Sequence, residues 1–600
     1  MECELEHPDA IHISFGFNLD VSYILKDLPH RCLTRLHWWG KTVWGDWEIE
    51  HIPHKWFTVK RGQVKARIYD VHTFFPGNYV SALVKFNVGS KEDLSIITSG
   101  KAQRPDFMWA DIEEIREYWR IECKLGPLLA EAVREALDRA SYIPRSWHGP
   151  GAVARMALKR HCIYDAMAKC PKKVQEAAKY AFAGGRFELV LAGHIPGPLW
   201  EADINSAYPF YAIMLPNLAK GKWRIGKDYE PGKFAVYHIR YDAPYDPIGL
   251  YPLFRRYDDG LVAWVNEVEG WYWAPEAELV KDDPNATFVE ALYFDEIDIN
   301  DRPFAFLGEY FRRRKEADAR GDILGYPYKI IINAIYGQLA QRAGWDKRKK
   351  LPPKSHQLEW AGFITSACRA EVYKAALACG DKLISINTDS VQALCPIPVP
   401  EGKLLGQWKV EKYSEAIVWQ SGIYFLREEL DYDLALGYGW IKAKTRGIPK
   451  GTYTAEDLRE CVRTMEPLKL TKHNFYGYGM ADNGSWDRFN SWVDEPHDFY
   501  LGGTGKRTHG IKGGILTKAW CKKYCTGDTH RLQLKPADRP FKDYDPDNPM
   551  RKGLPRDTMS VAHWLPWLDG PNSAKQVAAD IEIWDLELLD KDEEWVLDYA

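Results

Sequence analysis

The chain has 600 residues, 46% hydrophobic and 14% aromatic, which is the composition of a folded protein of several lobes rather than of a disordered or fibrous one. Its formal net charge of −4 gives no overall attraction to nucleic acid, so any phosphate contact must come from local basic surfaces. It holds no apolar run of the length of about 18 residues that a membrane span needs, its first residues are acidic and unlike a signal peptide, and its 11 Cys contain no Cys-x-x-Cys pair; free thiols in a reducing cytoplasm and no structural zinc are expected.

Residues 1–165 read as a first lobe, closed by the turn-rich Trp147-His-Gly-Pro-Gly151. Phe182-Ala-Gly184-Gly185-Arg186 follows in a linking segment. Leu199-Trp-Glu-Ala-Asp-Ile204 reads as a strand bordered by the breaker Pro196-Gly197-Pro198. Asn205 and Ser206 then turn the chain into a helical run from Ala207 to Met214, with Pro209 in the first turn, where it is tolerated. Asp203 therefore lies at a strand end beside the N–H groups of a helix start, where anionic oxygens are welcome.

Residues 219–300 carry short alternating runs such as Lys233-Phe-Ala-Val-Tyr-His-Ile-Arg240 and read as β-rich. Residues 301–345 read as two short helices. In the second, Lys329, Asn333 and Tyr336 fall at i, i+4 and i+7 and share a face. Gly337 in that helix costs about 1 kcal/mol relative to Ala, which points to a packing or functional reason. Basic runs Arg312-Arg-Arg-Lys315 and Lys347-Arg-Lys-Lys350 flank this helix. A helix from Trp360 to Cys379 precedes Lys382–Leu394, where two apolar runs flank Asn387-Thr388-Asp389-Ser390, a hairpin signal. Taken singly, Asp203 is a capping residue, Asp389 a turn residue and the charge runs solvated surface. Gly502-Gly-Thr-Gly-Lys506-Arg507 fails as a phosphate loop because Arg follows the Lys; a loop touching duplex phosphates is expected. The acidic stretch Asp580–Asp598 reads as a surface helix.

In this order and at these separations, Asp203–Pro209, Lys329–Gly337 and Asn387–Ser390 resemble the three polymerase motifs of the family B DNA polymerases, of the phage and mobile-element, protein-primed-like type. The resemblance implies an α+β, multi-lobed right-hand polymerase with an antiparallel-sheet palm, helical fingers and a thumb, preceded by a truncated RNase H-like exonuclease domain. It divides the chain into a degenerate exonuclease-like domain (1–165), a linker with a template-contact element (166–195), a first palm segment (196–218), a β-rich palm insertion (219–300), fingers (301–345), a second palm segment (346–450), and the thumb with the C-terminal region (451–600).

The implied chemistry is two-metal phosphoryl transfer, for which Asp203 and Asp389 would hold two Mg²⁺, with Mn²⁺ able to substitute. Lys329 joins them as a catalytic residue, and Arg314 assists it at the triphosphate. Tyr208 becomes the gate against a ribose 2′-OH, with Ser206 beside the nucleotide, and Asn333, Tyr336 and Gly337 line the nascent base pair. Gly184, Gly185 and Arg186 match a Tyr-x-Gly-Gly element that touches the template, with Phe182 for Tyr. Gly422-Ile-Tyr424 matches a Lys-x-Tyr primer motif with its Lys lost, leaving Tyr424 at the primer and Lys442 or Lys444 as the replacing cation. The chain departs from the family at Ala207, usually Leu, and at Asn387, usually Asp; altered metal dependence is expected from the latter.

In the first lobe, Phe15–Asp20 and Tyr118-Trp-Arg-Ile-Glu122 resemble the second and third exonuclease motifs. The first motif, Asp-x-Glu on a leading strand, should lie upstream of residue 14 and is not there; Asp70-Val-His72 lacks the second carboxylate. No proofreading is expected, because two-metal hydrolysis needs a full carboxylate set. The expected partners are primer–template DNA, dNTPs and a priming protein or other replication proteins, for a monomer in the host cytoplasm. The rival reading is a catalytically impaired relative that binds primer–template DNA as a scaffold; a third is an enzyme that starts chains without a primer or uses ribonucleotides.

Overall fold

The computed structural model describes residues 6–7, 10–75, 77–103, 112–244, 246, 249–257, 262–341, 352–428, 440–446, 448, 451–464, 466–499 and 501, with strand pieces at 507–508, 531–533 and 535–536. The chain divides into two compact units: Met1–Tyr164 with Pro303–Gln338 and Pro467–Phe499, and Asp165–Arg302 with Leu339–Glu466 and Tyr500–Ala600. The basic run 347–350, the loop 502–506 and the acidic stretch 580–598 lie outside the described residues.

The first unit is built on a five-stranded sheet in the order His12–Ser14, Val64–Asp70, Trp56–Arg61, Trp47–Ile52, Lys41–Trp44. Its first pair is parallel and the others antiparallel. Trp47–Ile52 alternates buried and half-buried residues, as a strand with one face on the core must. Ile49, Phe57 and Val59 pack there against Val21, Leu33 and Leu36 from the helices Asn18–Ile24 and His30–Trp39. The leading strand His12–Ser14 carries no Asp-x-Glu. Asp70 is buried, and its carboxylate accepts backbone N–H bonds from Gly16 at 2.9 Å, Phe17 at 3.2 Å and His72 at 3.1 Å. It ties the turn that follows His12–Ser14 to the start of the 3-10 helix Val71–Phe74. The same unit holds the helices Phe306–Ala319 and Gly325–Leu339; in the second, Ile331, Ile332 and Ile335 are buried.

The second unit contains an antiparallel sheet in the order Trp440–Thr445, Ile423–Arg427, Trp408–Gln420, Leu191–Ile204, Ser390–Ala393, Leu383–Thr388, Arg186–Leu189. The helix Leu358–Cys379 is buried along most of its length and packs on the Leu383–Thr388 strand. The interval 219–300 is β-rich: four antiparallel strands in the order Glu267–Trp273, Phe234–Asp242, Ala286–Glu296, Gly221–Gly226.

One local expectation is corrected. Pro196-Gly197-Pro198 does not border a strand; the strand runs unbroken from Leu191 to Ile204. Pro196 lies across from Glu415 and Leu199 from Tyr413, so the strand carries one extra residue there, a bulge with Gly197 at φ 87°. The neighbour on the other side, Ser390–Ala393, pairs only with residues 200–203, so the prolines withdraw no needed donor there. Gly422 is in the two-residue turn between Gln420 and Ile423, at φ 77°. A Lys at that position would be strained, which is why the turn carries glycine.

Candidate active site

The strand Leu191–Ile204 ends between two partners. Asp203 is across from Ser390 on one side and Lys409 on the other. Because Ser390 immediately follows Asp389 at the tip of the hairpin, the pairing sets both aspartates at one end of the sheet. The hairpin turn is Thr388-Asp389, with Asn387 paired to Ser390 and Thr388 at φ 62°. After Asp203 the chain leaves the sheet through Ser206 at φ 51° into the helix Ala207–Ile213. A left-handed backbone is uncommon for any residue but glycine and an outlier for β-branched Thr. Such strain persists only where surrounding structure enforces it.

Burial, then the Asp389 and Glu201 carboxylates, push the Asp203 carboxyl up to about 7, while Lys442 and Lys444 pull it down. Asp203 is nonetheless exposed, so water or a bound oxygen ligand can reach its carboxylate. Asp389 is raised as well, chiefly by burial, with its own backbone N–H and Lys444 opposing. Two carboxylates that resist ionising together fit a divalent cation, which would supply the missing positive charge. Among the described residues no group of three or more His, Cys, Asp or Glu forms a metal cage. An ion here would take the rest of its oxygens from water and substrate, as Mg²⁺ does.

Sequence reasoning missed Glu201. It stands two residues before Asp203 on the same strand face and is 3% exposed. Its carboxylate accepts from Gln392 Nε2 at 3.2 Å and from Tyr424 OH at 3.2 Å, and it is ion-paired with Lys442. From Gln392 the chain of bonds continues: Ser385 Oγ donates to Gln392 Oε1 at 2.9 Å and accepts from Asn387 Nδ2 at 2.8 Å. Asn387 thus serves as a donor, which a carboxylate at that position could not do. The signal available in sequence was the i, i+2 spacing of Glu201 and Asp203 in a strand.

This network reassigns several residues. Tyr424 is 4% exposed and tied to Glu201, so the expected primer contact is a buried anchor. Lys442 belongs to Glu201, with Glu411 3.8 Å away. Lys444 lies across from Tyr424, is exposed, and acts on both aspartates. Arg186 is not available to a template: it is fully buried, ion-paired with Glu188, and donates to the Tyr251 carbonyl at 3.0 Å. Gly184 has open space above its α-carbon. At Gly185 a Cβ would fall 2.6 Å from Thr388 Cγ2. Arg369 fixes the segment by donating to the carbonyls of Ala183 at 2.5 Å and Gly184 at 2.8 Å, while Glu276 holds its other nitrogens. Tyr208 is half-buried in the first turn of the helix Ala207–Ile213.

The remaining predicted residues are in the first unit. Along Gly325–Leu339, Lys329 and Tyr336 are half-buried and Asn333 and Gly337 exposed, opposite the buried isoleucines. A Cβ on Gly337 would meet nothing within 4 Å. Arg314 Nε is 3.4 Å from Asp318 Oδ2, so part of its charge is already answered. The run at 312–315 is largely internal to its helix: Arg312 pairs with Glu309 and Glu316, and Arg313 with Glu309. Lys85, unnoticed in sequence, joins Lys329 and Arg314; burial first and then these two cations lower its pKa. Its ammonium sits 4.5 Å from the Tyr326 ring centre.

No family model matches the chain. The DNA polymerase of Acidianus bottle-shaped virus (isolate Italy/Pozzuoli) is 24% identical over 323 residues, which cover 51% of this chain and 47% of that protein. The chain thus spans about half the length of that curated relative. Among solved structures, Phi29 DNA polymerase in an orthorhombic crystal form aligns at TM-score 0.58 and 16% identity, covering 83% of this chain and 92% of that one. The same polymerase complexed with primer-template DNA aligns at TM-score 0.55 and 15% identity over 83% and 92%. Its complex with primer-template DNA and incoming nucleotide substrates aligns at 0.55 and 16% over 81% and 90%. The chain therefore has a mixed α/β fold like that of Phi29 DNA polymerase. No helix among the described residues is long and apolar enough to cross a membrane.

Proposed function

We propose that the chain is a DNA-directed DNA polymerase of the protein-primed-like family B type, adding dNTPs to a primer 3′ end in the host cytoplasm. The observation that carries this reading is the pairing of Asp203 with Ser390, which brings Asp389 beside Asp203 at one sheet end. The likeness to viral and Phi29 DNA polymerases supports it.

In this reading Asp203 and Asp389 would hold divalent ions, Mg²⁺ or Mn²⁺. Such ions would supply positive charge to offset the negative charge of phosphoryl transfer. Glu201 keeps Lys442 and Tyr424 in place behind the aspartates, and Lys444 is the cation that stands in for the one lost at Gly422. Lys329, with Arg314 and Lys85, neutralises the triphosphate, so that protein catalysis is mainly positioning and charge stabilisation. Tyr208 checks the sugar beside Ser206, and the open face of Asn333, Tyr336 and Gly337 lines the nascent pair. Gly184 is the part of its element left to touch the template. The absence of proofreading is supported by Asp70, whose carboxylate is engaged by three backbone N–H groups, and by Glu122, which pairs with Lys101 at 2.9 Å.

The test is extension of a labelled primer on a DNA template with Mg²⁺ or Mn²⁺, with dNTPs and rNTPs run separately. Templated dNTP addition that vanishes in Asp389→Ala supports the reading. No addition by the unaltered chain, with DNA binding retained, would turn it to the scaffold.

A further inference from the structure

The first unit contains a cluster of cations and hydrogen-bond donors that the two-carboxylate site does not use. Trp56 and Arg67 are on neighbouring strands, where Thr58 pairs with Arg67, so Trp56 and Arg67 share a sheet face. The Arg67 guanidinium lies 5.0 Å from the Trp56 ring centre. The His148 ring also meets the Trp56 ring, 5.1 Å away edge to face. His148 comes from the Trp147–Gly151 turn, whose path is held by Thr73 Oγ1 donating to the His148 carbonyl at 3.2 Å. The helix Pro150–Arg160 that follows brings Arg155, whose guanidinium lies 2.8 Å from His148 Nε2.

Arginine has no acceptor, so His148 Nε2 accepts this bond and the ring proton resides on Nδ1. Burial, and after it Arg155, Lys55 and Arg67, depress the His148 pKa to about 3, so the ring is neutral. Its Nδ1 is buried without a partner, and so is Nε1 of Trp56, a residue only 6% exposed. Lys55 precedes Trp56, and its own pKa is lowered by burial and then by Arg155. Arg67 has Glu50 at 3.5 Å and Thr58 Oγ1 at 2.9 Å, which answers part of its charge. Two orphaned N–H donors in the field of the Lys55 ammonium are unfavourable unless an acceptor with negative charge completes them.

We propose that Lys55, Trp56, Arg67, His148 and Arg155 form an anion pocket that takes a phosphate group, with Trp56 Nε1 and His148 Nδ1 as donors and the three cations supplying charge. The phosphate comes from the backbone of a nucleic-acid strand or from a free phosphate. The pocket lies wholly in the first unit and does not rest on the polymerase reading.

The test uses the full chain and the variants Lys55→Gln, Lys55→Arg and Trp56→Phe, titrated with a labelled single-stranded oligodeoxynucleotide at several salt concentrations and, calorimetrically, with inorganic phosphate. If the strand is the source, Lys55→Gln and Trp56→Phe weaken oligonucleotide binding several-fold, Lys55→Gln lowers the salt slope by about 0.7, and Lys55→Arg restores both. If free phosphate is the source, the unaltered chain gives a binding heat that Lys55→Gln and Trp56→Phe lose while oligonucleotide affinity stays. Trp56→Phe also removes part of a buried ring that packs against Arg67 and His148, so its melting temperature falls; the titrations are run well below that melt, and the Lys55→Gln and Lys55→Arg pair reads the site independently of it. Variants that fold and bind both probes like the unaltered chain overturn the proposal, as does an unaltered chain that binds neither.

Discussion

Thr388 packs directly on the bare α-carbon of Gly185: a methyl group there would fall 2.6 Å from its Cγ2, 2.9 Å from its Oγ1 and 3.0 Å from its Cβ. Thr388 also has a left-handed backbone, φ 62°, immediately before Asp389. The glycine element therefore acts on the hairpin that carries an aspartate. Gly185→Ala is expected to destabilise the protein by about 1–3 kcal/mol, the usual penalty of overpacking. Thr388→Gly removes both the clash and the backbone strain, so the double variant should recover much of the loss. Thermal melts of the two single variants and the double variant measure this coupling; strict additivity would show that the contact has no energetic weight.

Asp203 and Asp389 should each be indispensable to activity. Partners that merely orient a metal ligand contribute about 10–100-fold, so Asp203→Asn or Asp389→Asn should lose more than about 100-fold in primer extension. With the mutual repulsion relieved, neither variant should melt below the unaltered chain in metal-free buffer. A large loss of melting temperature would instead mark the pair as structural.

The raised Asp203 carboxyl makes metal binding compete with a proton. Between its ordinary value of 3.8 and about 7, the folded chain holds a proton that the unfolded chain releases. The metal-free fold gains stability from this group at low pH and loses it as pH rises through that window. Conversely, affinity for Mn²⁺ should weaken by about tenfold for each unit below pH 7 and level off above it. Electron paramagnetic resonance of free Mn²⁺ across pH reads this; a flat affinity would contradict it.

Arg186 and Lys444 should behave differently when neutralised. Arg186→Gln breaks a fully buried ion pair with Glu188, which costs about 3–5 kcal/mol in such settings, and should lower the melting temperature. Lys444→Gln should leave the melt unchanged while weakening duplex binding and reducing the salt slope by about 0.9, one phosphate contact. Equal salt slopes for Lys444→Gln and the unaltered chain would remove Lys444 from the DNA contact.

Glu201→Gln tests the hidden carboxylate. The amide cannot satisfy Lys442, Tyr424 and Gln392 together, so a loss of about 3 kcal/mol is expected. Lys442→Met should cost about as much, and the double variant less than the sum, because the two losses share one ion pair.

What was readable in sequence is what is local. The hairpin around Asp389, the strand before Asp203, the helix with Lys329 and Asn333 on its open face, and the β-rich interval 219–300 all follow from periodicity and turn chemistry. These depend on residues a few positions apart. The pairing that sets Asp203 across from Ser390 joins segments far apart in the chain, and no propensity encodes it. The same holds for the availability of a charge. Arg186, Lys442 and Lys444 look alike in sequence, yet one is buried against Glu188, one is held by Glu201, and one is exposed. Whether a cation meets a phosphate or a carboxylate is decided by what the tertiary structure brings within a few ångströms, because attraction and desolvation both depend on that distance and on the water that remains.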